Sequence, residues 1–332
     1  MIEKIQKALH QNQDIKSWII RHERINSIQR YDLYQKTESI REVTSEIYSV
    51  DVLCDTKDEN GKLTSGLGTV SLLPGDDVDQ ALEKGVITAQ LVHNQPYDFI
   101  EPESIPELAL VDKDFVEDRF QQLAGVMADL REASAAYPQV RLTSAEVFGT
   151  EKDLHLLSSK GLDISQKTTD IYLQWVYIGG SGEAEAETFV EMIRRRIKDL
   201  KLKEEAALRA QYTLDRLQAG PPPSYSGPVF IAGETLAVMI AGEVLSSSVI
   251  QTLSSAEMKF TGETPWEVGK SIFKDEVKGD NLQVWANRTL PYGVESRAFD
   301  NEGIPAQRVP LIEDNKLINM IADQRFAHYL DI

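Results

Sequence analysis

A zinc site needs about three protein ligands from His, Cys, Asp or Glu, with water completing a catalytic site. The chain holds five histidines, His10, His22, His93, His155 and His328, and one cysteine, Cys54. No two histidines lie within five residues of each other, so there is no local His clamp. Lone histidines of this kind are read as satisfied structural residues. Acidic residues are plentiful. Three positions stand out by context: Glu234 at the start of an apolar stretch, and Asp300 and Glu302 in the turn Asp300-Asn301-Glu302-Gly303. Glu234 at a helix N-terminus would complement the helix dipole by roughly 0.3–1 kcal/mol. Asp300 and Glu302 read first as turn chemistry. Two weaker signals fail on spacing. Counted from Asp55 as a calcium loop, position three is Lys57 and position six is Asn60, where an EF-hand wants an oxygen ligand and Gly. Gly66-Leu67-Gly68 lacks the third glycine and the strand–loop–helix setting of a phosphate cradle, and reads as a bulge or close backbone approach.

The elements that must carry these residues are read from periodicity and breakers. Ile2, Ile5 and Leu9 have helical spacing, and a strand follows Trp18-Ile19-Ile20. Residues 46–54 are β-rich and lead to Asn60-Gly61, whose two positions suit the φ > 0 of a type I′ hairpin turn. The return strand is Leu63 to Leu73. Asp77 is the expected N-cap of a helix to Val92, and a second helix is expected from Asp114 to Ala136. Strands follow at 140–148, 154–158 and 164–178, the last two joined by Ser159-Lys160-Gly161. A charged helix is expected over Ala184 to Leu217. Three consecutive arginines, Arg194 to Arg196, cannot share one helix face, so the segment reads as solvated. Gly220-Pro221-Pro222-Pro223 opens an extended, semi-rigid stretch. Beyond it come a short strand at Val229 to Ile231, an apolar helix through Leu253, and small strands. Trp175, Trp266 and Trp285 are assigned to packing.

The fold class is therefore α+β. An N-terminal α/β domain with antiparallel sheet and helices spans 1–219, a proline-rich linker 220–228, and a mostly β C-terminal domain 229–332, expected to be incomplete. Length supports two domains: 332 residues at roughly 150 each. Thirty-five basic against 53 acidic residues give a net charge of −18, which argues against direct binding to nucleic acid or to anionic lipid. A single cysteine excludes an intramolecular disulfide framework. The N-terminus does not read as a signal peptide, and no apolar run reaches the 18 or so residues of a membrane span. The expected location is the cytoplasm.

Two blocks carry a family resemblance: Gly227 to Glu243, and Phe299-Asp300-Asn301-Glu302-Gly303 continuing to Arg308 and Leu311-Ile312-Glu313-Asp314-Asn315-Lys316-Leu317. The second resembles the Asp-x-Glu-Gly turn, strand, Arg and Leu-Ile-x-x-Gly-x-Leu hairpin of the TldD/TldE (PmbA) family, known as modulators of DNA gyrase and metallopeptidase relatives. Asn315 replaces the usual Gly, a mild change because Asn also tolerates the left-handed region. In catalytic members a His-Glu-x-x-x-His motif supplies two zinc ligands and a general base. The matching residues here are Gly233-Glu234-Thr235-Leu236-Ala237-Val238. Glu234 is kept as the one catalytic candidate, and both ligand positions are lost. A further sulfur ligand of those members lies in a closing segment that the resemblance places beyond Ile332, and Cys54 does not match it. The resemblance thus implies a zinc-less TldE/PmbA-like subunit of a cytoplasmic metallopeptidase assembly, with zinc only in the partner. The partner would be a TldD-like catalytic subunit or a second copy, and the substrate an unfolded peptide. Two alternatives stand beside it: a self-sufficient metallopeptidase recruiting His155 or His328, and a non-enzymatic protein modulating another enzyme.

Overall fold

The computed structural model describes residues 1–182, 184–238 and 250–332, without the side chains of Glu234, Ala237 and Val238. Its α+β architecture is an N-terminal curled antiparallel sheet with helices, then a small sheet with helices. The large sheet has six strands in the order β3-β2-β1-β4-β5-β6. They are β1 (Ser17–Leu33), β2 (Lys36–Lys57), β3 (Leu63–Leu72), β4 (Val140–Ser158), β5 (Asp163–Ser181) and β6 (Ala184–Arg194). Every neighbouring pair is antiparallel.

One face of this sheet carries two helical clusters. At one end, Ile5 and Leu9 of α1 (Ile2–Gln11) and Val78, Leu82, Val86 and Ala89 of α2 (Val78–Gln90) pack on Trp18, Ile20, Val50 and Val52. Asp77 caps α2 as expected, accepting from the Gln80 N–H. At the other end, α3 (Lys113–Glu117), α4 (Arg119–Ala135) and α5 (Leu202–Gln218) cover Val147, Ile171, Leu173, Trp175 and Tyr177. Gly68 lets β3 lie directly on α2: a Cβ there would sit 1.9 Å from the Gly85 carbonyl oxygen. That confirms a close backbone approach at the Gly-Leu-Gly sequence.

Several sequence expectations change. The charged helix over 184–217 is instead β6, a 3₁₀ turn at Ile197–Leu200, and α5. The inward residues Ala186, Thr188, Val190 and Met192 alternate with outward ones, a period of two that pairing with β5 exploits. The helix expected over 114–136 breaks at Asp118, which caps α4 by accepting from the Gln121 N–H. The strands expected at 140–148 and 154–158 are one continuous strand, β4. At the 58–62 hairpin tip only Gly61 has positive φ (+76°); Asn60 does not. The Asp58 carboxylate accepts from the Asn60 and Lys62 N–H groups, and Gly61 N–H bonds to the Asp58 carbonyl. That arrangement is a type I turn closed by a left-handed Gly, not a type I′ turn.

Residues 219–232 form neither helix nor strand, so the strand expected at Val229 to Ile231 is absent. Val229 and Phe230 are 73% and 93% exposed, and no neighbouring strand pairs with them. Of the apolar helix expected through Leu253, the described residues hold α6 (Gly233–Val238) and α7 (Ile250–Leu253); positions 239–249 lie outside the described residues. The rest comprises α8 (Ala256–Thr261), β7 (Val284–Asn287), β8 (Arg308–Glu313), β9 (Lys316–Leu317) and α9 (Gln324–Leu330), with β7-β8-β9 forming the small sheet. Among the tryptophans, Trp175 is fully buried, Trp266 packs beside Ile250 and Ile312, and Trp285 is 41% exposed beneath Arg308.

Candidate functional site

The C-terminal segment meets the large sheet on the face opposite the helices. Ala298 and Phe299 pack with Ile19, Leu53, Tyr97, Phe99, Leu154 and Leu156. At the edge of this contact sits the turn that the sequence singled out. Asp300 Oδ1 accepts from the backbone N–H groups of Glu302 and Ile304, both at 2.9 Å. Gly303 takes φ +86°, and its N–H bonds to the Asp300 carbonyl at 3.2 Å. Asp300 therefore does turn chemistry, as read from sequence. Its neighbour Asn301 is held to the sheet, because Arg21 Nη1 donates to the Asn301 carbonyl at 3.0 Å and to Asp51 at 2.7 Å.

Glu302 does more than close a turn. Its Oε2 accepts from the Gln324 N–H at the start of α9 at 3.0 Å, and its carbonyl accepts from Gln324 Nε2. Gln324 Oε1 in turn accepts from Ile100 N–H at 2.7 Å, tying a third segment to the same point. Burial pushes the Glu302 carboxyl up to about 7. The Gln324 N–H opposes this, while Asp300, Asp323 and Asp51 reinforce it. A half-buried carboxyl pushed up toward neutrality can hold or release a proton at ordinary pH.

The second junction is Arg195, which the sequence placed on a solvated helix. It is 5% exposed. Its guanidinium donates to the carbonyls of Gly293, Val294 and Ser296 on one side and to Thr169 O and Asp170 Oδ1 on the other. Burial raises the Asp170 carboxyl, and Arg195 opposes that rise. The missed signal was the alternation of β6, which puts Arg195 just beyond the last paired residue, where it turns under the sheet edge.

Glu234 is the second residue of α6. Its side chain lies outside the described part, as do those of Ala237 and Val238, so these three of the six positions are placed only by backbone. Among the described residues, the histidines have other partners. His22 Nε2 contacts Glu46 Oε1 at 2.9 Å and its ring stacks on Tyr48; His155 Nε2 contacts Asp163 Oδ1 at 2.7 Å. These two are direct cross-strand partners on β1 and β4 and line an open groove of about 380 Å³ with Asp153, Ser165, Gln166 and Lys167. His10 contacts the Gln6 carbonyl, His93 the Thr64 hydroxyl, and His328 lies beside Tyr329. Among the described residues, no group of three or more His, Cys, Asp or Glu is placed to hold a metal. Cys54 is buried, and burial pushes its thiol up to about 11, the opposite of an activated thiolate. No described helix is long and apolar enough to cross a membrane.

Residues 234–332 match the family described as the PmbA/TldA metallopeptidase C-terminal domain. The C-terminal third is TldD/PmbA-like. The fold extends that likeness over the whole chain. A candidate modulator of a DNA gyrase from Thermotoga maritima matches with a TM-score of 0.75 at 14% identity, covering 100% of this chain and 73% of that one. TldE from Thermococcus kodakarensis matches at 0.72 and 17% identity, covering 100% and 71%. A candidate modulator of DNA gyrase from Bacteroides thetaiotaomicron matches at 0.71 and 16% identity, covering 99% and 74%. At such identities the shared property is the fold. No curated protein matches by sequence.

Proposed function

We infer that this chain is a TldE/PmbA-like subunit of a cytoplasmic peptide-processing assembly. It is not catalytic itself; it completes the substrate cleft of a zinc-bearing TldD-like partner. The observation that carries this reading is the pair Gly233 and Val238, which occupy the two ligand positions of the His-Glu-x-x-x-His motif. Neither residue can ligate zinc, and Glu234 alone would offer one weak oxygen against the three ligands a catalytic site requires. A second feature supports a role toward extended peptide. β3 pairs with β2 only from Tyr48 onward, so among the described residues the outer edge of β2 from Lys36 to Ile47 has no strand partner. Free backbone N–H and C=O groups on such an edge can bond an extended chain with little demand on its sequence. The net charge of −18 disfavours nucleic acid as the direct ligand.

The test is co-expression with a homologue that keeps both motif histidines. The expected result is a stoichiometric complex that holds zinc and cleaves unfolded peptide, with Glu234→Gln in this chain leaving the rate unchanged. The reading is overturned if the purified chain alone binds one zinc and cleaves unfolded peptide at a rate that Glu234→Gln abolishes.

A further inference from the structure

Among the described residues, the C-terminal segment covers only part of the sheet face opposite the helices. It lies over Ile19, Leu154 and Leu156. Farther along the same strands, the same face carries Tyr31, Phe148 and Tyr172. Their placement follows from the neighbours of Phe148: Val147 is buried in the helix-side core, and a Cβ on Gly149 would strike Phe115 of α3, so Phe148 points the other way. The Phe148 ring centroid lies 5.3 Å from both Tyr31 and Tyr172. Strand register extends this into rows. Phe148 faces Tyr172, which faces Ile193; Ser144 faces Val176, which faces Phe189. Phe189 and Ile193 are 52% and 38% exposed, and Tyr31, Phe148, Tyr172 and Val176 are part-exposed.

The row between these apolar rows is acidic. Tyr31 faces Glu146, Glu146 faces Gln174, and Gln174 faces Glu191. Glu146 and Glu191 are thus two strands apart, roughly 10 Å at ordinary strand spacing. Neither is in an ion pair with a described residue. Gln174 Oε1 is occupied by the Tyr172 hydroxyl at 2.5 Å. Burial raises the Tyr172 phenol, and Glu191 and Glu146 add to the rise, which places both carboxylates within electrostatic reach of the ring. At its β2 margin the patch carries a cation of its own, Arg41, which lies 5.1 Å from the Tyr31 ring centroid. Aromatic faces and unpaired carboxylates share one preference, for ammonium and guanidinium groups. Apolar rows on either side favour aliphatic neighbours of those groups.

We propose that this half-face, uncovered among the described residues, is a docking surface for an extended segment of another polypeptide whose every second residue, the ones turned to the sheet, is in turn Lys or Arg and aliphatic. The cations seat between Glu146 and Glu191, and the aliphatic side chains lie on Phe148, Tyr172 and Phe189. The proposal does not rest on the subunit reading above, because its test needs neither a zinc-bearing partner nor peptide cleavage.

The probe is a fluorescein-labelled twelve-residue peptide repeating Lys-Ser-Val-Ser, which turns Lys and Val in sequence to one side when extended, followed by anisotropy against the full chain. The double variant Glu146→Gln/Glu191→Gln is expected to weaken binding about tenfold, and Phe148→Ser about as much. A control double variant on exposed residues elsewhere, Glu3→Gln/Glu117→Gln, is expected to leave binding within twofold of wild type. Circular dichroism melts confirm that each variant is folded. Absence of binding, or equal weakening by the control, overturns the proposal. So does a peptide with Ser in place of every Val that binds as tightly as the probe, since charge alone would then suffice. A concentration-dependent dimer that Glu146→Gln/Glu191→Gln disrupts would make a second copy the occupant and overturn it likewise.

Discussion

Glu302 should make this protein less stable as pH rises through neutrality. An ordinary glutamate titrates near 4.5; burial moves Glu302 to about 7 in the folded chain. The sign follows from linkage. The folded state binds this proton more tightly than the unfolded state, so the contribution is fully present below pH 4.5 and is lost between 4.5 and about 7. The gap corresponds to about 3 kcal/mol at 1.36 kcal/mol per pH unit, an upper figure because the site keeps some contact with water. Glu302→Gln keeps an oxygen for the Gln324 N–H but cannot ionise. Urea unfolding followed by circular dichroism from pH 4.5 to 8.5 should show the variant matching wild type at the acid end. At pH 8.5 it should exceed wild type by up to about 3 kcal/mol. Other groups titrate in both proteins and cancel in the comparison. Parallel pH profiles for the two proteins would refute the claim that Glu302 is desolvated at the joint between α9, the Asp300 turn and the segment at Ile100.

Three further substitutions test packing elsewhere in the fold. Gly68→Ala puts a methyl 1.9 Å from the Gly85 carbonyl oxygen, and backbone cannot yield as a side chain does. It should cost about 3 kcal/mol in urea unfolding, whereas Gly61→Asn at the open hairpin tip should cost under about 1 kcal/mol. Arg195→Met removes the donors to the Gly293, Val294 and Ser296 carbonyls and leaves Asp170 without its cation. A loss of about 3–5 kcal/mol is expected. Limited proteolysis should show faster cleavage between residues 288 and 297 than in wild type.

Much of the large sheet was legible in the sequence because its strands alternate cleanly. Ile171, Leu173, Trp175 and Tyr177 face one core, and the alternation alone places them. The cap at Asp77 and the turn at Ser159-Lys160-Gly161 were equally local, each needing only its own few neighbours. β6 was missed because its acidic and arginine content resembles a solvated helix. Its alternation is shallow, with Ala186 and Thr188 as inward residues, and only pairing with β5 makes that choice favourable. The strand expected at Val229 to Ile231 failed for the complementary reason: an apolar run becomes a strand only where an edge accepts it.

The family-like blocks, the scarcity of histidine and cysteine, and the inability of the Gly233 and Val238 side chains to ligate zinc follow from residue type alone. Chemistry that a residue lacks cannot be restored by folding, so those conclusions needed no coordinates. The roles of Glu302 and Arg195 could not be read that way. Both belong to common types in unremarkable local sequence, and their properties come from what lies opposite them. Glu302 meets Gln324 across 22 positions, and Arg195 meets the 293–296 carbonyls across about a hundred. The uncovered aromatic and acidic half-face is likewise a product of register, since Glu146, Gln174 and Glu191 become one row only when three strands align. Burial and charge environment are properties of the assembled surface, and a sequence specifies them only through the long-range contacts that tertiary structure makes.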